Sequence, residues 1–173
     1  AMEKAATMLS SVNTLSQRGN YPFVQFRVTP NGTTSTKFIS KGMDATSLSI
    51  KLNNAQTIEC NTSSGSYWDN NQVDETTKKI STHISNDGAV CFSKDGSYFK
   101  ADGTLKNNLN VTVENRSTNQ YLILCTTSNA SNGGKCPLDQ GGGLEKPAYL
   151  VEWTRFGNIS KFKWSGSDWT RQN

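Results

Sequence analysis

The sequence is poor in the residues on which catalysis and metal binding most often depend. His83 is the only histidine among 173 residues, which excludes a zinc site built from several histidines. The cysteines form no C-x-x-C pair and no G-x-S-x-G motif is present, so neither thioredoxin-type chemistry nor a nucleophile elbow is indicated. His83 itself lies in an alternating stretch without a motif around it. We therefore expect a protein that is not an enzyme and uses no cofactor.

Long apolar runs are also lacking. No stretch approaches the about 18 residues of a membrane helix, and no signal peptide is visible. Apolar residues make up 34% of the chain, below the about 45–50% of typical globular proteins. Ser, Thr, Asn and Gly take their place, which suits a β protein with long polar loops. The net charge of +4 permits an anionic partner but does not require one.

One helix is predicted, at the N-terminus. Between Glu3 and Arg18, apolar residues recur every three or four positions and form one stripe. The stripe consists of Ala5, Met8, Leu9, Val12 and Leu15. Gly19 and Pro22 are suitable stop signals.

After the helix, the patterns favour strands. We expect about eight short antiparallel strands, including residues 23–28, 48–52, 80–84, 89–92, 109–113 and 121–125, with a polar loop over 61–72. The strongest signal is the C-terminal hairpin over 149–164, where alternating aromatic and β-branched residues flank a turn at Phe156-Gly157-Asn158. The alternation of side chains in this hairpin predicts that Trp153 is buried. The fold class expected is α+β, one amphipathic helix packed on antiparallel β-sheets.

The four cysteines are Cys60, Cys91, Cys125 and Cys136, and an even number favours two disulfides in an oxidising compartment. Three pairings are possible, and free buried thiols are the alternative. We favour Cys125 with Cys136, because the polar loop between them can fold back on the strand that ends at Cys125. Cys60 would then pair with Cys91.

Three stretches resemble the pseudopilin and minor pilin family of the GspH/FimT type. They are L-S-Q-R-G-N followed by F-V-Q-F-R-V, then I-S-N-D-G-A-V-C-F-S-K-D-G-S-Y-F, and the terminal W-T-R-F-G-N-I-S-K-F-K-W. They occur in the family's order and span nearly the whole chain. The resemblance implies that residues 1–19 are the C-terminal half of a spine helix and residues 20–173 a pilin-like β-sandwich head. It also implies an apolar membrane helix upstream of Ala1.

The function that the resemblance implies is structural. A minor pilin that primes or caps a type IV pilus at its tip is the first expectation, and a minor pseudopilin of type II secretion is the alternative. An unrelated extracellular binding module is the third. Other pilins would be the partners, and the polar helix face, with Lys4, Ser11 and Gln17, would contact them. The protein would reside in the inner membrane and then in a periplasmic or extracellular filament, whereas the isolated head would be monomeric.

Some members of the family bind DNA through G-R-x-R in the closing turn. Here the matching residues are Gly157-Asn158-Ile159-Ser160, so both arginines are missing. Arg155, Lys161 and Lys163 remain as candidates for weak phosphate contacts. Lys161 and Lys163 fall on one face of the strand, where two solvated lysines guarding an edge are the simpler interpretation.

Overall fold

The computed structural model describes residues 1–18, 21–30, 35–43, 46, 70–84, 89–93, 96–98, 120–126, 135–137, 143–154 and 158–173. These residues form one helix, α1 (Met2–Gln17), followed by strands. The strands are β1 (Phe23–Pro30), β2 (Ser35–Met43), β3 (Asn70–Lys78), β4 (Ile80–Ile84), β5 (Ala89–Ser93), β6 (Gly96–Tyr98), β7 (Gln120–Thr126), β8 (Ala148–Trp153), β9 (Ile159–Trp164) and β10 (Trp169–Gln172).

The strands form two antiparallel sheets. The N-terminal sheet has the order β3-β2-β1-β5-β6, and the C-terminal sheet has the order β10-β9-β8-β7-β4. The chain passes from the first to the second at Lys79, whose φ of 57° lies in the left-handed region and turns β3 sharply into β4. The predicted α+β class, with one N-terminal helix packed on antiparallel sheets, is confirmed.

The main core lies where α1 meets the inner faces of both sheets; we call it the shared core. The helix contributes Ala5, Leu9 and Val12, all at most 1% exposed. The N-terminal sheet contributes Val24, Phe26, Val28, Phe38, Val90 and Phe92, and the C-terminal sheet contributes Leu122, Leu124, Val151 and Trp153. The helix therefore holds the two sheets together as well as covering them.

The predicted helical stripe is confirmed with small changes at its end. Ala5, Met8, Leu9 and Val12 are buried, whereas Leu15 is only partly buried against the shared core. The buried set also includes Ala6 and Ser16. Ser16 is accommodated because its Oγ donates to the carbonyl of Asn13 at 2.7 Å, so its own hydroxyl is satisfied.

A second core covers the opposite face of the C-terminal sheet. It comprises Tyr121, Ile123, Cys125, Cys136, Leu144, Ala148, Leu150, Phe162 and Trp164, with Trp169 partly buried against it. Strand β8 therefore has buried residues on both faces, which explains why it reads as a nearly continuous apolar run. Trp153, predicted to be buried, is 0% exposed.

Several strands differ from the prediction. Strands β2, β3, β6 and β10 were not predicted, and residues 70–72, expected to end a polar loop, instead begin β3. Of these, β3, β6 and β10 are outermost strands of their sheets. An outermost strand packs on one neighbour only and keeps a polar composition, so its hydrophobic pattern is weak. The strands predicted at 48–52 and 109–113 lie outside the described residues.

Candidate functional site

The exposed face of α1 is the surface that the sequence assigned to subunit contacts. Lys4, Ser11 and Gln17 are all exposed, on the side of the helix opposite the buried stripe. Each of them is therefore placed where a second molecule has access to it. Because the buried side of α1 is fixed by two sheets, this face is held rigidly relative to the rest of the protein.

The hydroxyl groups of this face bond to the helix itself. Ser11 Oγ donates to the carbonyl of Thr7 at 3.0 Å, and Thr14 Oγ1 donates to the carbonyl of Ser10 at 2.9 Å. Such hydroxyls are already ordered and short. Packing another surface against them costs less side-chain entropy than packing against long charged side chains. The helix thus presents an exposed polar surface between Lys4 and Gln17.

An ion pair joins the first turn of α1 to β9. Lys161 Nζ donates to both carboxylate oxygens of Glu3, at 2.9 and 3.0 Å. The side chains are 27% exposed for Lys161 and 68% exposed for Glu3, so water screens the pair and its contribution to stability is small. It links the first turn of the helix to the C-terminal sheet, whereas the buried stripe of α1 sets the position of the helix.

Two of the three candidate phosphate-binding residues, Lys161 and Lys163, lie on β9. Lys161 and Lys163 alternate with Phe162 and Trp164, which lie in the second core, so both lysines share the face on the helix side. Lys161 is engaged with Glu3, while Lys163 is exposed. Arg155 lies outside the described residues. The contact between Glu3 and Lys161 was not predicted, and no local pattern indicates a pair separated by 158 positions.

The cysteines form a disulfide as the sequence favoured. Cys125 of β7 is bonded to Cys136, with 5.8 Å between the two Cα atoms. Cys91 is also disulfide-bonded, and Cys60, its predicted partner, lies outside the described residues. The segment around Cys136 is attached to β4 as well, because Cys136 N donates to the carbonyl of Thr82 at 3.2 Å. The disulfide therefore pins this segment across β4 and β7.

His83 contacts the same segment around Cys136. Its Nδ1 donates to the carbonyl of Cys136 at 3.1 Å, and its ring stacks on the ring of Tyr121, with 6.4 Å between the two ring centroids. Burial lowers the pKa of His83, the bond to Cys136 partly opposes this, and the charge of Lys135 lowers it further. Burial also raises the pKa of the Tyr121 hydroxyl. Both shifts favour the neutral form of the group near pH 7.

Within the described ranges, no three His, Cys, Asp or Glu side chains come together in a way that could hold a metal ion. A search of that same part of the chain finds no helix with the length and apolar character needed to cross a bilayer. Comparisons with protein-family models, curated proteins and solved structures find no match.

Proposed function

We propose that this protein is a structural subunit of an extracytoplasmic filament, a minor pilin that primes or caps a type IV pilus at its tip. The observation that carries the proposal is the division of α1 into two faces. One face is buried in the shared core against both sheets, and the other is polar and exposed. A helix held in this way is rigid, so it presents the same surface to each neighbouring subunit.

The disulfide also supports this proposal. Cys125–Cys136 is compatible with folding in an oxidising compartment, where the heads of pilins reside. In the proposed assembly, an apolar helix upstream of Ala1 anchors the protein in the inner membrane and then enters the filament core. The head described here would occupy the filament surface.

A charge reversal on the helix face tests the proposal. Lys4→Glu should reduce the number of filaments in the source organism, because it places a carboxylate in the subunit contact while the buried stripe is unchanged. Lys146→Glu is the matched control, since Lys146 is exposed outside α1. Filament counts by electron microscopy and melting curves of the purified variants provide the measurements. Normal filaments in a strain that lacks the gene entirely would refute a priming or capping role.

The alternative, a minor pseudopilin of type II secretion, uses the same geometry. The neighbouring genes distinguish the pilin from the pseudopilin, because secretion-channel genes beside this one would favour the pseudopilus. The effect of Lys4→Glu also distinguishes them, since it would block secretion instead of piliation in the case of a pseudopilin. The open reading frame tests both at once. It should encode a short basic leader that ends in glycine, followed by an apolar segment of about 20 residues just upstream of Ala1. An ordinary cleaved signal peptide there would favour an extracellular binding module.

The isolated protein should be monomeric under the same proposal. The contacts left to it are those of the exposed helix face, which are polar and smaller than the about 1,200 Å² that stable interfaces usually bury. Light scattering at micromolar concentration measures this directly. A stable dimer would count against the pilin proposal. DNA binding for uptake retains one exposed described lysine, Lys163, in the closing hairpin, and nothing else in the described contacts favours it.

A further inference from the structure

Positive charge is concentrated on the outer face of the N-terminal sheet, away from the shared core. Side chains alternate between the two faces of a strand, and the shared core takes Val24 and Phe26 of β1 and Phe38 of β2. The intervening residues therefore lie on the outer face. Its basic members, which we call the basic face, are Arg27 of β1, Lys37 and Lys41 of β2, and Lys78 of β3.

The strand register arranges these cations around a single apolar residue. Arg27 lies directly opposite Ile39 in the β1–β2 pair, at about 4.5–5.5 Å between Cα atoms. Lys37 and Lys41 lie two positions from Ile39 along β2, about 7 Å to either side. The partly exposed Ile39 is thus flanked by cations on three sides. On its fourth side the register pairs it with Asp74 of β3, so one acidic residue borders the group.

Arg27 is the central feature of the basic face. Its Nη1 is buried and has no hydrogen-bond partner in the described structure. Burial lowers the pKa of Arg27, but a guanidinium stays protonated at neutral pH. A buried donor without an acceptor is destabilising, by about 1–3 kcal/mol for a typical polar group. Arg27 as a whole is only partly buried, and guanidinium groups bind carboxylates with favourable geometry, so the exposed part of this side chain can bind an oxyanion.

Protection of a sheet edge does not explain this arrangement. Lysines on outermost strands discourage aggregation, and Lys78 on β3 fits that role. Arg27, however, lies on β1, which is the middle strand of the N-terminal sheet. A half-buried arginine on a central strand guards no edge.

We propose that the basic face is a docking site for an acidic protein surface. A carboxylate of the partner accepts from Arg27, further carboxylates face Lys41 and Lys78, and an apolar side chain of the partner covers Ile39. An apolar centre with a charged rim is the usual anatomy of a protein–protein interface, in which arginine is enriched. Complementary charge then speeds association and selects acidic partners.

Ile39 favours a protein partner over a nucleic acid. A phosphodiester backbone satisfies cations but gains nothing from covering an isoleucine, and the four basic residues and Ile39 provide no aromatic ring on which a base could stack. This surface is on the N-terminal sheet, whereas the subunit contacts proposed above are on α1. The two proposals are therefore independent.

Fluorescence anisotropy with labelled probes tests the inference on the purified chain. The probes are a short peptide that alternates glutamate and leucine, its glutamine counterpart, and a single-stranded oligonucleotide of equal negative charge. The glutamate peptide should bind, and added salt should weaken it. Arg27→Gln should raise its Kd at least about tenfold, which corresponds to about 1.4 kcal/mol. Ile39→Ser should weaken the glutamate peptide but leave oligonucleotide binding unchanged.

Lys146→Gln is the matched control, because it removes one exposed lysine from outside the basic face. It should leave the Kd of the glutamate peptide unchanged. If Arg27→Gln fails to fold, the double variant Lys41→Gln/Lys78→Gln tests the same surface, because it removes two of the lysines of the basic face. The inference is overturned if the glutamate peptide does not bind at low salt, or if it binds all variants alike. Tighter binding of the oligonucleotide, indifferent to Ile39→Ser, would overturn it in favour of nucleic acid.

Discussion

Replacing Trp153 with alanine removes the largest fully buried side chain of the protein's described part. Trp153 ends β8 on the face that packs in the shared core, and it is 0% exposed. A buried aromatic side chain removes about 150–250 Å² from water. At about 25 cal/mol/Å², this area corresponds to about 4–6 kcal/mol. Truncations of buried Phe and Trp cost about 3–5 kcal/mol, because the surrounding atoms relax partly into the space. We therefore expect a loss of about 3–5 kcal/mol.

Such a loss is a large fraction of the about 5–15 kcal/mol by which native proteins are stable. For a chain of this size, it corresponds to a fall in Tm of about 6–20 °C. Urea denaturation without reductant, followed by far-UV circular dichroism, is the suitable assay. Tryptophan fluorescence is less suitable, because the variant removes one of the four tryptophans that produce the signal.

Trp169→Ala is the matched control for the same chemical change. Trp169 is partly exposed on the outermost strand β10 and packs on Trp164, with 5.1 Å between ring centroids. Its truncation should cost about 1–2 kcal/mol, since only part of its area is buried. A loss below about 1 kcal/mol for Trp153→Ala, or equal losses for the two variants, would refute the two-faced packing of the C-terminal sheet.

Three further predictions concern individual contacts of the fold. Serine at both Cys125 and Cys136 should lower stability by about 2–3 kcal/mol, as expected for releasing a loop of this length, and thiol labelling of the native wild-type protein should detect no free thiol. His83→Gln should flatten the pH dependence of stability. Because the folded-state pKa of His83 is lowered, the unfolded chain binds more protons, so wild-type stability should fall as pH decreases from about 6.5 through the folded-state pKa. A double-mutant cycle with Glu3→Gln and Lys161→Gln should give a coupling free energy of about 0.2–1 kcal/mol that decreases with added salt. A coupling free energy that does not change with salt would show that water does not screen the pair as its exposure implies.

Local pattern determined those elements that bury one regular face. The stripe from Ala5 to Leu15 specified α1 because helical geometry aligns positions three and four apart, and such a stripe must be covered. The dense apolar run of β7 and the aromatic and β-branched pattern of the β8–β9 hairpin also predicted strands, and the hairpin pattern placed Trp153 in the core. The cysteine spacing and the intervening polar loop were sufficient to favour Cys125–Cys136. In each case the physical constraint acts between residues that are close in sequence.

Tertiary structure decided what depends on residues far apart in the chain. Strand β3 is almost entirely polar, and it is a strand because β2 supplies its backbone partners. The pairing of Lys161 with Glu3 arises only after α1 is packed across both sheets. The position of Arg27 opposite Ile39 depends on register, which the pattern of buried side chains across the two strands sets. Local periodicity specifies which face of an element is buried, but the identity of the neighbour that covers it is settled only when the whole chain folds.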